Sequence, residues 1–371
     1  MPPRNLYGDI RPISHSNSHI TRFSANSPFF ICVISYTDTC TIAGITAAGA
    51  NKIFVKYTPA ADSEFLCYGF CKCINKLPMT PDGRPTPAII TRAAIRLADM
   101  PFQIVDAGCL IKPSVPYISL GIGSGKSIES GAAVDSVDVK KGFEYGRIIG
   151  RQAAKLSDLV VVGESIPAGT TTTLGVLHAL GVDSKFKVSS SMRTNPHQLK
   201  NKIVSRGMQK ARLSFGELKN DPFEAIARLG DPLMPSIAGI TEGVLMSGGK
   251  ALLAGGTQMA SILAILRSLG VRLKGVCVGT TVYVAFDRSS NLTGLINSIS
   301  TEVPVFAADL HMEESFIVGL ASFARGFVKD GVGAGGSSIA AMLKSNGRIN
   351  GHLILKEVEK EYNHVLRRDP R

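Results

Sequence analysis

No stretch of this 371-residue chain reaches about 18 uninterrupted apolar residues, the length a membrane-spanning helix needs. The amino-terminal run MPPRNLYGDIRPISHSNSH is polar and lacks the apolar centre of a secretory leader. Both absences point to a soluble, cytoplasmic protein with no membrane partner. Tryptophan is missing altogether, and the 38 glycines follow no G-x-y period, which excludes a collagen-like fibre. The glycines are left for tight turns and close backbone approach to a ligand. No internal repeat or low-complexity tract occurs. With 19% charged residues against 44% hydrophobic ones, wholesale disorder is excluded, and there is core material for one large α/β unit or two smaller ones.

The 41 Lys and Arg outnumber the 29 Asp and Glu, a net charge of +12, but the excess is scattered along the chain. Small anionic ligands are therefore favoured over a nucleic-acid partner. The densest basic stretch, 200–212 (KNKIVSRGMQKAR), has helical spacing and no interleaved aromatics, as a solvated helix face would. A phosphate contact from its start stays open. The seven cysteines are odd in number and mostly single in apolar runs, as buried thiols in a reducing compartment are. Only Cys67, Cys71 and Cys73 cluster, and their C-x3-C-x-C spacing has no nearby His or second C-x-x-C, so no zinc site is expected there.

Short β-rich apolar runs alternate with helical patterns, the signature of βαβ units and a parallel sheet. Strands are predicted at 29–35, 102–105, 159–162, 251–254, 276–286 and 303–307, and their continuous apolar character suits strands covered on both faces. Helices are predicted at 87–100, 143–156, 171–180, 196–213, 221–229, 235–246, 257–269 and 313–328. The fold expected is a doubly wound, mostly parallel α/β sheet with helices on both faces. The predicted organisation is an arm over 1–25, one α/β domain over 26–345 with an excursion at 57–86, and a terminal helix within 346–371.

In an open parallel sheet, ligands bind beyond the carboxyl ends of the strands, and three loops there have suitable chemistry. In LVVVGESIPAGTTTTLGVLHAL (159–180), a buried run meets Gly163 and Glu164, then Gly169 and the four threonines Thr170 to Thr173 at a helix start. Free amides and threonine hydroxyls make a phosphate cradle; capping by one threonine is the competing explanation. Glu164 could meet a ribose hydroxyl, exchange a proton, or make a structural hydrogen bond. In ALLAGGTQMASILAIL (251–266), Gly255 and Gly256 precede Thr257, which serves ligand approach and helix packing equally well. In VKDGVGAGGSSIAAM (328–342), a bare loop containing Gly331 and Gly333 follows Asp330, exposing a carboxylate above a ligand or closing an Asx turn.

Other schemes lack their residues. SLGIGSGKSI (119–128) ends like a phosphate loop, but Leu120 stands where the first glycine is needed. The histidines form no HExxH set, no G-x-S-x-G elbow occurs, and no strand-borne G-x-G-x-x-G has an acidic partner. Metal hydrolysis, serine hydrolysis and nicotinamide redox chemistry are not indicated.

Taken together, GESIPAGTTTTLGVLHALGV (163–182), SMRTNPHQLKNKIV (191–204), DPFEAIARLGDPLMPSIAGI (221–240), LLAGGTQMASILAILRSLGV (252–271) and KDGVGAGGSSIAAM (329–342) resemble the nicotinate-nucleotide:dimethylbenzimidazole phosphoribosyltransferase family, its archaeal branch most closely. YTPAADSEFL (57–66) and TPDGRPTPAIITRAA (80–94) add to the likeness. The resemblance implies transfer of phosphoribose from nicotinate mononucleotide to a benzimidazole or related base for a cobamide lower ligand. It implies a homodimer and neither a metal nor a redox cofactor. The family's general-base glutamate aligns with Asp330, one methylene shorter; its phosphate-contacting lysine aligns with Lys200, with Lys202 a rival. Gly163, Glu164, Gly169, Thr170 and Thr171 align with its phosphate loop, which has Asn where Gly169 stands here, and Thr172 extends it. Gly230-Asp231-Pro232-Leu233-Met234 replaces a Gly-Gly-Phe-Glu-Ile stretch. These departures leave a second reading, a nucleotide-binding protein that has lost catalysis.

Overall fold

The computed structural model describes residues 8–14, 17–49, 51, 53–74 and 76–368. Parts of the predicted arm and terminal segment, residues 1–7, 15–16 and 369–371, lie outside them. Eight strands form one sheet: β1 Ile10–Ser14, β2 Pro28–Ile34, β3 Phe102–Asp106, β4 Ile118–Ser119, β5 Leu159–Ser165, β6 Ala251–Ala254, β7 Val276–Thr281 and β8 Val305–Ala308. Their order is β1-β8-β7-β6-β5-β2-β3-β4. All neighbours run parallel except β1, which pairs antiparallel with β8 at one edge.

Alternate residues of the central strands feed two separate cores. Ile31, Val33, Val160, Val162 and Leu253 face one; Phe30, Cys32, Ile34, Val161 and Leu252 face the other. Both sets are buried, and for that reason these strands read as continuous apolar runs. The first core is closed by helices Ser136–Leu156, Gly169–Ala179, His197–Ala211, Pro222–Leu229, Leu233–Met246 and Gln258–Ser268. The second is closed by Thr58–Tyr68, Ala88–Leu97, Ala334–Lys344 and Gly351–Arg368. This is the doubly wound, mostly parallel architecture read from the sequence.

The longest helix pair shows how small residues set the layer spacing. Helix Ser136–Leu156 lies so close to Leu233–Met246 that a Cβ on Gly146 would strike the Ser236 carbonyl, and one on Gly239 the Phe143 carbonyl. The pair approaches to backbone contact, which larger residues would forbid.

Three sequence expectations are corrected. The run at 276–286 is not one strand: it ends at Thr281 and turns into a short helix, Val282–Ala285. The helix predicted at 313–328 is broken into Met312–Glu314 and Val318–Ala321, followed by turns around Gly326 (φ 86°) and Val328 (φ 48°). Helix Ser136–Leu156 begins two turns earlier than predicted because the Asp135 carboxylate accepts from the Val137 amide at 2.8 Å and caps it. β1 and helices Thr58–Tyr68 and Leu292–Ile299 carry no prediction. β1 has only five residues, mostly half-exposed, and Thr58–Tyr68 buries eight successive residues, so neither shows a clear period.

Candidate active site

The chain order reverses between β2 and β5. After β2 it builds outward through β3 and β4; after β5 it builds the other way through β6, β7 and β8. A crevice at the carboxyl ends of two such strands is where open α/β sheets bind ligands. Here it holds a cavity of about 850 Å³, large enough for a nucleotide and a second ring. Its floor is Glu164, Ser165 and Asp330; its walls include Ile45, Phe54, Leu77, Met79 and Val332. Most of the far wall comes from residues 45–87, so the excursion predicted at 57–86 lies over the cavity.

β5 runs on through Ser165, so Gly163 and Glu164 are strand residues and not part of the following loop. The Glu164 side chain, 4% exposed, accepts from the Ile166 amide at 3.1 Å. Burial pushes its carboxyl well above the usual range, and neighbouring Asp330 adds to the push. Asp330 differs in its support. Its Oδ2 accepts from the Thr280 hydroxyl at 2.7 Å and the Thr281 amide at 3.2 Å, and its Oδ1 from the amides of Gly331 at 2.8 Å and Gly335 at 3.3 Å. Burial raises its pKa, and these four donors oppose the rise.

A third carboxylate completes the floor. Asp62, 2% exposed, projects from helix Thr58–Tyr68 and accepts from Thr86 Oγ1 and Ser165 Oγ, both at 2.7 Å. Burial lifts its pKa to about 6 against those two hydrogen bonds. The sequence reading missed Asp62 because its segment has no turn chemistry or period to mark it.

Lys200 is fully buried at the opposite side of the same loop. Its Nζ donates to Thr170 Oγ1 at 2.8 Å and to the Ser189 carbonyl at 2.5 Å. Burial, with help from Lys329, lowers its pKa to about 7. Its rival Lys202 is exposed on the same helix. Thr170 and Ser190, next to Ser189, line the cavity, so Lys200 reaches the space through them. Lys329 is itself buried and paired with Asp287 at 2.7 Å.

Glu164, Thr170, Asp330 and Gly331 thus share the cavity wall, with Lys200 one contact behind. Gly163, Gly169, Thr171, Thr172, Gly255, Gly256, Thr257 and Gly333 do not line it. Gly163 and Gly333 face each other: a Cβ on Gly333 would come within 2.8 Å of the Phe30 ring and 3.1 Å of Gly163 Cα. Gly169 lies against the Gln258 carboxamide, Gly255 against Met259 and Gly256 against Val284. Thr172 donates to Asp231 Oδ2 at 2.5 Å, and Thr257 Oγ1 accepts from the Ser189 amide at 2.9 Å, positioning the strip beside Lys200. Thr171 Oγ1 is buried with no hydrogen-bond partner among the described residues. Asp231 caps helix Leu233–Met246 through the amides of Leu233 and Met234 and lies off the cavity wall.

Backbone strain gathers at the floor. Val328 (φ 48°) and Val332 (φ 52°) flank Asp330 on either side, and both line the cavity. A β-branched residue in the left-handed region costs roughly 1–3 kcal/mol and persists where surrounding structure holds it, most often at ligand sites.

An open α/β sheet with a cavity at its switch point defines the doubly wound class of folds, and comparison with solved structures makes the fold specific. A nicotinate-nucleotide-dimethylbenzimidazole phosphoribosyltransferase from Thermus thermophilus superposes with a TM-score of 0.59 over 88% of this chain and 83% of its own, at 15% identity. A CobT structure from the same organism gives 0.59 over 87% and 83%, at 17% identity. The chain therefore has the fold of those phosphoribosyltransferases. By sequence it belongs to the UPF0284 family. An Archaeoglobus fulgidus UPF0284 protein is 42% identical over 337 residues, 91% of this chain and 94% of the relative. One from Methanothermobacter thermautotrophicus is 37% identical over 356 residues, 95% and 97% of the two chains. No protein-family model matches the chain. Among the described residues, no helix is long and apolar enough to cross a membrane.

Proposed function

We propose that this protein transfers phosphoribose from nicotinate mononucleotide to a flat aromatic base of benzimidazole type, yielding an α-ribazole phosphate and nicotinate for a cobamide lower ligand. The observation that carries this reading is the polarity of the cavity. Two buried carboxylates, Glu164 and Asp62, and the half-buried Asp330 form its floor, and a buried lysine lies behind Thr170. That arrangement suits a ligand with a cationic ring and an anionic phosphate on one sugar.

In this scheme the acceptor nitrogen forms a bond to C1′ as the bond from C1′ to the pyridinium nitrogen breaks, with its electron pair leaving on nicotinate. The acceptor's N–H proton goes to a carboxylate. The family resemblance gives that role to Asp330, but four donors favour the charged form of Asp330 against its burial, whereas Glu164 accepts only one. We assign the proton to Glu164 and give Asp330 the stabilisation of positive charge developing on the sugar. A cationic ring arriving beside Glu164 draws off its proton; once nicotinate leaves, the group is basic again. Thr170 and Lys200 hold the phosphate, aided by the helix start at Gly169. The family resemblance brings a homodimer and a cytoplasmic setting with this activity.

The four hydrogen bonds on Asp330 also favour a second reading, a nucleotide-binding protein without catalysis. The deciding experiment incubates purified protein with nicotinate mononucleotide and a panel of flat bases, and measures free nicotinate by chromatography. Release that depends on one base supports transfer and names the acceptor. Saturable mononucleotide binding with no release for any base supports the binding-only reading.

A further inference from the structure

A cluster apart from the cavity brings two histidines and three carboxylates together at the edge of the sheet. β8 ends at Ala308; Asp309 follows, and the chain turns through His311 in a left-handed conformation (φ 51°) into the short turn Met312–Glu314. The first turn of helix Gly351–Arg368 sits directly on this bend. A Cβ on Gly351 would overlap the Asp309 carbonyl, and the Gly351 amide donates to Asp9 Oδ2 at 2.8 Å. His352 is thereby laid over His311, with the rings stacked at 3.9 Å and 10°.

The hydrogen-bond pattern fixes which nitrogen is free. His311 Nε2 lies 3.3 Å from Asp9 Oδ1, a carboxylate oxygen that accepts, so Nε2 donates there and Nδ1 is the ring nitrogen whose lone pair a metal would take. That lone pair faces Asp309 Oδ1 at 3.8 Å and Glu314 Oε1 at 3.9 Å, beyond hydrogen-bond range. Glu314 Oε2 in turn lies 3.3 Å from His352 Nδ1. His311 Nδ1, Asp309 Oδ1 and Glu314 Oε1 therefore converge on one small space, with His352 Nδ1 at its rim. Arg11 engages the other oxygen of Asp309 at 3.1 Å, which holds that carboxylate in place.

We propose that His311, Glu314 and His352, with Asp309 beside them, bind a late first-row divalent cation such as Zn²⁺. One ligand atom from each of the three lies within 4.8 Å of the others. Bonds of about 2.0–2.1 Å at tetrahedral angles need roughly 3.4 Å between ligand atoms, and His352 and Glu314, each more than half exposed, are free to close that gap. Asp9 supplies the outer carboxylate that typically orients a metal-binding histidine. Two imidazoles favour zinc or a neighbouring metal over magnesium or calcium. None of these residues lines the cavity, so the site acts as a staple joining the turn at Asp9, the end of β8 and the terminal helix, independently of the proposed transfer.

The test titrates zinc chloride into the chelator-treated full chain near neutral pH, with calorimetry for binding and thermal unfolding for stability. The expected result is saturable zinc binding with a rise in Tm that magnesium does not reproduce. H352A should lower the zinc affinity by on the order of 10–100-fold or more, and D9N by about tenfold. Because His352 is largely solvent-facing, H352A should leave the metal-free Tm unchanged, so lost binding is not lost folding. C71S should leave the affinity intact, separating this site from Cys67, Cys71 and Cys73. No saturable zinc binding would reduce the cluster to ion pairs of protonated histidines and overturn the proposal. So would an affinity unchanged in both H352A and E314A, or one abolished by C71S.

Discussion

Glu164→Gln is the substitution that separates the proposed proton acceptor from its surroundings. It is isosteric, and its carboxamide oxygen can still accept from the Ile166 amide while the amide nitrogen faces the cavity. Losing a general base costs about 10²–10⁴ in kcat, roughly 3–5 kcal/mol of barrier. Stability should move the other way. Burial raises the Glu164 pKa, so the folded state holds its proton more tightly than the unfolded chain. Such a group leaves the protein most stable below the unfolded value near 4.5. Stability then falls as pH climbs toward the folded value, by up to ~1.4 kcal/mol per pH unit. Removing the ionisable group abolishes that slope, so E164Q should melt higher than the parent at neutral pH and equally at pH 4. The assays are nicotinate release at saturating base and thermal unfolding across pH 4 to 8. Activity within tenfold of the parent, or a lower Tm at neutral pH, would refute the assignment.

Asp330→Asn should behave differently, losing activity and also Tm, because the amide nitrogen replaces one carboxylate oxygen and would meet the two donors bonded to it, leaving them unsatisfied at about 1–3 kcal/mol each. Full transfer activity in D330N would remove Asp330 from the mechanism. Lys200→Met should weaken nicotinate mononucleotide binding by on the order of tenfold or more with little change in kcat of bound substrate, read by calorimetry and initial rates. In E164Q, which has no Glu164 proton to release, mononucleotide binding should take up protons above pH 7, since phosphate restores the charge that burial removes from Lys200, and should release them below pH 6, where Asp62 ionises under the cationic ring. Calorimetry in buffers of different ionisation enthalpy reads that reversal, and a constant sign across pH 5 to 8 would contradict it. Gly333→Ala should lower Tm, since its Cβ would press on Phe30 and Gly163 at a φ of 72°.

The architecture was legible because the sheet is buried on both faces: β2, β5 and β6 are unbroken apolar runs that leave little choice of structure. Glu164 and Thr170 drew attention because β5 runs into small residues and a helix start there, and Asp330 because four glycines follow it within six positions; the structure puts all three on the cavity wall. The cavity's far wall was not. Helix Thr58–Tyr68 buries Asp62, Ser63 and Glu64 beside Phe65 and Leu66, so its polar residues point inward and erase the amphipathic period. At Gly255 and Gly256 the sequence left ligand approach and packing equally open, and the structure shows the packing. Gly255 and Gly256 are needed where Met259 and Val284 crowd the backbone, and a sequence shows the missing side chain without showing what occupies its place. The cluster of His311 and His352 was hidden by a separation of 41 positions, closed only when the last helix docks on the end of β8.

The electrostatics of the cavity make sense only against those of the whole chain. A protein with a net charge of +12 draws anions toward its surface over a Debye length of about 10 Å. Its switch-point cavity nevertheless presents acid groups, and each carries the cost of burial in its raised pKa. A purely anionic ligand would be attracted to the surface and repelled at the floor. A cationic ring alone would gain at the floor and lose on approach. A zwitterionic mononucleotide, with phosphate toward Lys200 and the charged ring over Glu164 and Asp330, relieves both buried lysine and buried acid in one orientation. That orientation places C1′, between ring and phosphate, above the carboxylates, where the proposed transfer needs it. Discarding the ring's charge as nicotinate leaves then returns the floor to its uncompensated state and favours uptake of the acceptor's proton.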